Sequence, residues 1–496
     1  MPAEGIRSRL ESPQVRTWLC IGFGVVLAAL VYLLPVVWHL DLTYLLRWPN
    51  FVEGTIGQSL FTGKYHKVIE TPRPLLDVLW ALNKKPAAVY PAISILFGLL
   101  ALILALISNQ VFKSPWPGLL TGFIFPFSSG FLEILTNGSW GLPYLVLIMS
   151  AVYCYLKQRT LPFAILLFLS GLIRPESWAL ALFILAVRIG RKRFEWSLLI
   201  PILAPIVWAF YDWRISGNPL YSYKITAQYA FYTSLQPTSL LAFWPLVIRG
   251  FAGLVGIPIL VLGVAGMIRR SWKRDWWKLL DDPIIIFALV PLLFSWASIL
   301  KAKILFMPRF FPTSVCLLVL AAFFIPYVQF GPKHRAGFIA SLALVLALAG
   351  IRVSRTLAEA HAGMENQVRG ERIMSELVDS LKQIDPAPYR HIFISLRRYA
   401  DVYQLLGEKY HDKCLSYREI FMTVPTAKDF AKMLPSLGVW MTGFDEVNCA
   451  AWLGYTLDRG RSTSHPFTDE GVQLDIKLLC KTQESNGFIY EFTSRQ

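Results

Sequence analysis

The sequence predicts a polytopic α-helical membrane protein with about eleven transmembrane helices and a C-terminal soluble α/β domain. Two observations predict this class. Hydrophobic residues make up 55% of the chain and charged residues only 16%, which is too apolar for a soluble protein of 496 residues. Many apolar runs also reach the roughly 20 residues that cross a bilayer. The net charge of +16 does not indicate nucleic-acid binding, because the basic residues cluster in short loops between apolar runs.

The predicted spans follow one another with mostly short connections. They are residues 17–38, 87–108, 117–133, 141–156, 160–174, 176–188, 197–211, 243–267, 283–300, 308–327 and 337–352. The run Trp18–Trp38 is too long for a signal-peptide core and lacks a small-residue cleavage site, so it predicts an uncleaved first helix. The pair 160–174 and 176–188 also fits one kinked helix with a re-entrant piece.

The distribution of Lys and Arg among the loops predicts the orientation. The basic loops are predicted to be cytoplasmic, and they hold Arg7, Arg9, Arg16, Lys113, Lys157, Arg159, Arg188–Arg193, Arg269–Lys278, Lys333 and Arg335. The loops 39–86, 134–140, 212–242 and 301–307 are predicted to face outward, as is everything after about residue 352. The sequence therefore predicts a multi-pass protein of the plasma or inner membrane with a cytoplasmic N-terminus.

The predicted domains differ in composition. Residues 1–352 form the transmembrane domain, with 39–86 as its first outer loop, and residues 353–496 form the outer soluble α/β domain. Strand-like runs in the outer domain, the last of them closing a hairpin, are His391–Leu396, Gly438–Thr442, Leu474–Lys481 and Phe488–Thr493. This domain also holds Cys414, Cys449 and Cys480, and the sequence does not choose a disulfide pair among them.

One segment places two opposite charges beside a proline inside almost unbroken hydrocarbon. Residues 171–178 read Gly-Leu-Ile-Arg-Pro-Glu-Ser-Trp, with apolar runs on both sides. Charge at membrane depth is costly, so it usually faces a partner, a cavity or a substrate. Pro175 is predicted to end one helix and start another, which would aim Arg174 and Glu176 at the membrane surface. A purely structural Arg–Glu pair explains the local sequence equally well.

The first outer loop opens with an acid directly after the first helix. Asp41 lies there among aromatic and apolar residues, a setting that raises a carboxylate pKa and suits a general base acting on an acceptor hydroxyl. Taken alone, Asp41 is better explained as the cap of an interfacial helix. Asp212, at the end of the seventh span, is expected to be a cap as well.

The order of these motifs resembles the GT-C superfamily of polytopic glycosyltransferases. The resemblance is nearest to the actinobacterial arabinofuranosyltransferases and related mannosyltransferase-like proteins that carry a C-terminal outer domain. The matching motifs, which cover about residues 17–330, are Asp41 with Arg47-Trp48, Arg174-Pro175-Glu176, Gly217-Asn218-Pro219-Leu220 and Pro308-Arg309-Phe310-Phe311-Pro312. Leu40 stands where the family has the first of two adjacent acids.

The resemblance implies an inverting, cell-envelope (cell-wall) glycosyltransferase with a polyprenyl-phosphate sugar as donor and an extracytoplasmic glycan or lipid as acceptor. Asp41 is then the base. Cations expected at the donor phosphate are Arg73, Arg174, Arg309, Lys301 and Lys303. Residues expected to contact substrate are His39, Glu53, Glu70, Glu133, Glu176 and Lys224. Snorkelling to the interface explains Lys301 and Lys303 equally well. The resemblance leaves room for a divalent cation, Mg²⁺ or Mn²⁺, to which the sequence assigns no ligands.

A transporter or flippase of lipid-linked sugars, which performs no chemistry, is the alternative function. A transporter has less need of a long first outer loop and a large outer domain, and it usually shows internal repeats, which are not evident in this sequence. The transferase is therefore the first hypothesis. It requires that Asp41, Arg174 and Arg309 converge on one outward cavity.

Overall fold

A computed structural model describes residues 13–37, 73–82, 89–124, 141–224, 240–272, 279–299, 312–329, 372–394, 405–416, 438–442, 473–481 and 487–495, with a few isolated positions between them. The chain divides into two compact units. The first contains Met1–His66, Thr71–Tyr223 and Leu235–His361, and the second contains Ala362–Gln496 with the short segments Lys67–Glu70 and Lys224–Ser234.

The regular elements of the first unit are all helices within its described residues. Its helices are α1 (Pro13–Val37), α2 (Pro74–Leu82), α3 (Val89–Phe112), α4 (Trp116–Ile124), α5 (Gly141–Leu156), α6 (Thr160–Gly171), α7 (Glu176–Gly190), α8 (Leu203–Ser216), α9 (Leu240–Val255), α10 (Ile257–Ser271), α11 (Pro283–Ile299) and α12 (Pro312–Gln329). A 3₁₀ helix, Trp196–Ile202, leads directly into α8. The predicted division of 160–188 into two short helices is confirmed.

Two of the described helices are long and apolar enough to cross a membrane: Pro91–Phe112 and the continuous rod Trp196–Arg214. The pair α9 and α10 adds a third if it is a single span. Shorter apolar helices are Thr17–Leu33, Gly141–Leu156, Thr160–Gly171, Pro283–Ala297 and Thr313–Ala322. The count of eleven spans stays a prediction, and the last one, 337–352, lies outside the described residues.

The segment 243–267, predicted as one span, forms two helices, because the chain bends by 116° between α9 and α10, as in a broken span or a re-entrant loop. Gly256 lies at the bend with a φ of +87°, a left-handed conformation that side chains disfavour. Its N–H still donates to Ala252 O at 2.9 Å, which closes the last turn of α9. Hydropathy runs unbroken through the bend, so it carried no sign of the change in direction.

Aromatic and aliphatic side chains fill the core of the helical unit. The largest fully buried side chains there include Tyr144 of α5, Phe97 of α3, Phe163 of α6 and Phe287 of α11. Phe163 packs edge-on against both Tyr155 and Phe287, with ring centroids 5.3 and 6.4 Å away. Buried rings of this size make many close contacts, and their edge-on pairs add to the packing of the unit.

The second unit contains a five-stranded mixed sheet. Its strands are β1 (His391–Ile394), β2 (Cys414–Ser416), β3 (Gly438–Thr442), β4 (Gln473–Lys481) and β5 (Phe488–Arg495), in the order β2-β1-β3-β5-β4. Strand β1 runs parallel to both neighbours, whereas β5 runs antiparallel to β3 and β4. The predicted strands are confirmed where they are described, and β4 pairs with β5 as in the predicted terminal hairpin, most of whose turn lies outside the described residues. Strand β2 was not predicted. Residues 372–384 form a helix ahead of the sheet.

The structure places two of the three cysteines of the second unit and one buried tyrosine. Cys414 and Cys480 are free thiols in β2 and β4, at opposite edges of the sheet, so they do not pair with each other. Cys449 lies outside the described residues. The Tyr389 hydroxyl donates to Glu491 Oε1 at 3.3 Å, and burial together with that carboxylate raises the pKa of Tyr389.

Candidate functional site

The break between α6 and α7 is formed by Leu172–Pro175. The Arg174 N–H donates to Ser170 O at 2.9 Å, which extends the winding of α6 past its last residue. Pro175 has no N–H to continue that pattern, so α6 ends here. The Trp178 N–H then donates to Pro175 O at 2.9 Å and starts α7. The proline therefore separates the two helices, as the sequence predicted.

Arg174 and Glu176 form a buried ion pair across this break. Arg174 Nε donates to Glu176 Oε2 at 3.1 Å, and Arg174 Nη2 donates to Glu176 Oε1, so the guanidinium holds the carboxylate with two parallel bonds. The residues are only 5% and 9% exposed, rather than aimed at the surface. Residues two apart on a regular helix face different directions, and the turn at Pro175 is what brings these two together.

Hydroxyl and aromatic groups from three helices surround the pair. Arg174 Cζ lies 5.2 Å from the centre of the Tyr144 ring, a cation–π distance. The Tyr144 hydroxyl lies beside the side chains of Ser177 and Thr313. Thr313 Oγ1 is buried and makes no hydrogen bond of regular geometry among the described residues. We call this set, Tyr144, Arg174, Glu176, Ser177 and Thr313, the helix-break cluster.

A short hydroxyl chain connects the cluster to α6. Ser170 Oγ donates to Leu167 O at 2.8 Å and lies 2.8 Å from Ser177 Oγ. A hydroxyl has one proton to donate, so Ser177 is the donor to Ser170. The break is thus held by side-chain hydrogen bonds as well as by charge.

Trp178 joins the break to the rod that contains α8. Its Nε1 donates to Gly171 O at 2.9 Å, and its ring packs edge-on against Trp208 at 5.5 Å between centroids. Gly171 is required for this packing, because a Cβ there would lie 2.9 Å from Ala204 Cβ and 3.2 Å from the Trp178 ring. The α6–α7 break therefore packs closely against α8.

A second polar cluster lies one helical turn along α8 from Trp208. Buried Asp212 accepts the Ser222 N–H at 2.8 Å and the Ser222 hydroxyl at 2.6 Å. Ser222 Oγ in turn accepts the Trp208 Nε1–H at 3.0 Å. Asp212 is within α8 rather than after it, and it caps the short helix 221–224 from there. We call Trp208, Asp212 and Ser222 the Asp212 cluster.

The segment Gly217–Leu220 forms the turn that brings Ser222 back to Asp212. Gly217 ends α8 in the left-handed conformation with a φ of +71°, and its N–H donates to Trp213 O at 2.8 Å. Asn218 Oδ1 then accepts the Leu220 N–H at 3.0 Å, a side-chain turn typical of Asn. This motif therefore shapes the Asp212 cluster.

The structure brings together only part of the predicted site. Arg174 and Glu176 meet in the helix-break cluster, Arg73 is half-buried one residue before α2, and Lys224 is exposed at the end of the helix 221–224. The predicted site residues that lie outside the described residues are His39, Asp41, Glu53, Glu70, Glu133, Lys301, Lys303 and Arg309. Within the described residues, no group of three His, Cys, Asp or Glu is placed to hold a metal ion.

Sequence reasoning missed Tyr144, Ser177 and Thr313. Each is an ordinary buried residue by its local pattern, and no single motif connects them. One signal was present for Thr313, which immediately follows the Pro308–Pro312 motif. Tyr144 gives a weaker signal as the fourth residue of a helix that begins on the predicted outward side.

Comparisons with known proteins identify the fold. No protein-family model matches the chain, and no curated protein matches it. The structure of ArnT from Cupriavidus metallidurans, bound to undecaprenyl phosphate, matches with a TM-score of 0.55 and 12% sequence identity. The match covers 94% of this chain and 97% of that one. The chain therefore shares the fold of this protein.

Proposed function

We propose that the chain is a membrane glycosyltransferase that transfers a sugar from a polyprenyl-phosphate donor to an extracytoplasmic glycan or lipid acceptor. The observation that carries the proposal is the helix-break cluster: a buried Arg–Glu pair with hydroxyls from three helices, in a fold shared with a protein solved with undecaprenyl phosphate bound. Arabinofuranosyl and mannosyl donors are the sugars that the sequence resemblance favours.

The proposed reaction inverts the anomeric carbon. Asp41 removes the proton from an acceptor hydroxyl, whose oxygen attacks the anomeric carbon while the bond from that carbon to the phosphate oxygen breaks. The leaving group is polyprenyl phosphate, whose added negative charge Arg174 and Arg309 stabilise, supported by Arg73, Lys301 and Lys303. A divalent cation, where bound, would offset phosphate charge. The described residues offer no ligand set for one, so no step depends on it.

Arg174 has to exchange partners in this scheme. Its two-bonded contact with Glu176 has the geometry that a guanidinium also offers to phosphate. We infer that the donor phosphate replaces Glu176 on the guanidinium, while Tyr144 keeps the plane of the guanidinium in place. The released Glu176 carboxylate then contacts substrate hydroxyls. Before binding, the pair keeps both charges compensated in the membrane.

Chain connectivity supports a common site for Arg174 and Arg309. Thr313, in the helix-break cluster, is four residues after Arg309. Four residues of fully extended chain span at most about 14 Å, so Arg309 starts from within reach of the cluster. The remaining candidates, His39, Glu53, Glu70, Glu133 and Lys224, are proposed to contact sugar and acceptor.

The outer α/β domain, residues 353–496, is proposed to present the acceptor. Its placement on the extracytoplasmic side, with the N-terminus in the cytoplasm, follows from the distribution of basic loops. The site and this domain are then on the same side of the membrane.

The experiment that tests the function uses purified protein in liposomes with a polyprenyl-phosphate sugar and a candidate acceptor. A transferase releases polyprenyl phosphate and lengthens the acceptor, and the release requires the acceptor. A flippase moves the donor between leaflets and leaves it intact. Donor transfer between leaflets without release of polyprenyl phosphate, across a panel of glycan and lipid acceptors, would contradict the proposal.

A further inference from the structure

A second site lies at the opposite end of α5, α6 and α7 from the helix-break cluster. It is a shallow pocket of about 210 Å³, including space open to solvent. Its lining residues, which we call the loop pocket, are Tyr155, Gln158, Arg159, Thr160, Phe163, Arg188 and Leu198. Tyr144 and Tyr155 are separated by roughly 16 Å along the single helix α5, so the two sites are distinct.

The charge of the loop pocket is positive. Arg188 is half-buried, with its Cζ 5.0 Å from the centre of the Tyr155 ring, and Arg159 is exposed at the start of α6. The neighbouring carboxylate, Asp281, accepts the Tyr155 hydroxyl and Arg191 Nη1, each at 2.7 Å. Among the described residues, Arg159 and Arg188 form no ion pair. The lining of the pocket therefore contains two guanidinium groups and no carboxylate.

The start of α6 adds to this positive charge. The helix begins at Thr160, and Arg159 at its N-cap makes no side-chain capping hydrogen bond. The first N–H groups of an α-helix have no partner within the helix and favour an anion at that end. The side chains of Gln158 and Thr160 supply further hydrogen-bond donors at the same place. Side chains with donor groups and the start of α6 thus border the same depression.

The remaining wall of the loop pocket is apolar. Phe163 is buried with its ring edge-on to Tyr155, and Leu198 comes from the 3₁₀ helix before α8. A phosphate attached to hydrocarbon matches this combination of cationic floor and apolar wall. Basic pockets between transmembrane helices bind anionic lipid head groups for this reason.

We propose that the loop pocket binds a phosphate ester anion of the kind that lipid head groups carry. Arg159 and Arg188 contact the phosphate oxygens, and the α6 N-terminus faces the same charge. This binding site is separate from the proposed donor site and requires no catalysis. Its failure would leave the proposed function untouched, because the two sites share no residue.

The test measures phosphatidylglycerol binding to the purified full-length protein by native mass spectrometry, with phosphatidylcholine as the neutral lipid. Arg159→Gln and Arg188→Gln should each weaken phosphatidylglycerol binding by about tenfold or more, the worth of a charge-assisted hydrogen bond. Arg193→Gln is the matched control, because Arg193 is exposed in the neighbouring loop after α7 but does not line the pocket. It should weaken binding by about fivefold at most, the worth of one cation near an anionic surface.

Equal losses in all three variants would overturn the proposal, since they would show only diffuse attraction to basic loops. Unchanged binding in Arg159→Gln would also overturn the proposal. Arg159 is exposed, so this variant should fold normally even if Arg188→Gln does not. Inorganic phosphate, added as competitor, distinguishes the source of the anion. Displacement of the lipid by phosphate indicates a site for the phosphate group itself, whereas lipid binding that resists phosphate indicates recognition of the whole lipid.

Discussion

The two ends of helices α5, α6 and α7 hold their charges in different ways. At the helix break, Arg174 and Glu176 are buried and compensate each other across a proline. At the loop end, Arg191 pairs with Asp281, but their side chains keep 23% and 29% of their exposure. Water solvates the second pair and is excluded from the first. Breaking an Arg–carboxylate pair should therefore cost little stability at the loop end and much more at the helix break.

This difference bears on function. A buried ion pair is weak evidence for stability, because apolar residues of similar volume often serve as well. An apolar turn would join α6 to α7 without the desolvation of two charges. Charge at the break is better explained by a ligand that uses it, and the proposed donor phosphate is such a ligand. The charges at the loop end are partly exposed to solvent, so a bound ligand is not needed to explain their presence there.

The largest effect that would sharpen the comparison is loss of the proposed base, Asp41. Asp41→Asn keeps the side-chain size and removes the proton acceptor, so turnover with a polyprenyl-phosphate sugar should fall by roughly 10²- to 10⁴-fold. Turnover is measured as the rate at which polyprenyl phosphate is released. Glu133→Gln is the control and should change turnover far less. Near-normal turnover in Asp41→Asn, with a large loss in Glu133→Gln, would transfer the role to Glu133.

The second effect concerns stability at the break. Arg174→Gln or Glu176→Gln alone leaves one buried charge uncompensated and should cost about 3–5 kcal/mol in the free energy of unfolding. The double variant Arg174→Gln/Glu176→Gln should recover most of that loss. Denaturation of the purified variants in the same detergent measures all three. Additive losses in the double variant would show that the two side chains do not depend on each other.

The positions of α6 and α7 could be predicted from the sequence, but the contacts at the break could not. Proline at 175 and apolar runs on both sides give the ends of α6 and α7. The pairing of Arg174 with Glu176 depends on the path of four turn residues, which hydropathy does not record. Tyr144 and Thr313 reach the cluster from distant helices, and the bend at Gly256 depends on one backbone angle.

The third prediction concerns the C-terminal domain and the side of the membrane on which it is proposed to lie. Removal of residues 353–496 should raise the acceptor KM by roughly tenfold or more while donor affinity persists, because only acceptor binding is lost. Steady-state kinetics and donor titration on the shortened protein measure the two effects. Protease access to this domain from the cytoplasmic face alone would reverse the orientation and the side assigned to the site.

The smallest effect is expected at the loop end. Arg191→Gln removes a partly exposed pair with Asp281 and should cost no more than about 1 kcal/mol in the free energy of unfolding, because water solvates the carboxylate that remains. The same denaturation assay used for the break variants measures it. A loss as large as that of Arg174→Gln would erase the contrast between the two ends.

Donor affinity in Arg174 variants tests the central claim most directly. Binding of a polyprenyl-phosphate sugar is titrated on two variants, Arg174→Lys and the double variant Arg174→Gln/Glu176→Gln. The double variant should stay folded, and Arg191→Gln is the control. The proposed phosphate contact predicts partial affinity with Lys, because the guanidinium fork is lost, and a loss of roughly tenfold or more in the double variant. A folded double variant with unchanged donor affinity would contradict the account and leave Arg174 as a structural partner of Glu176.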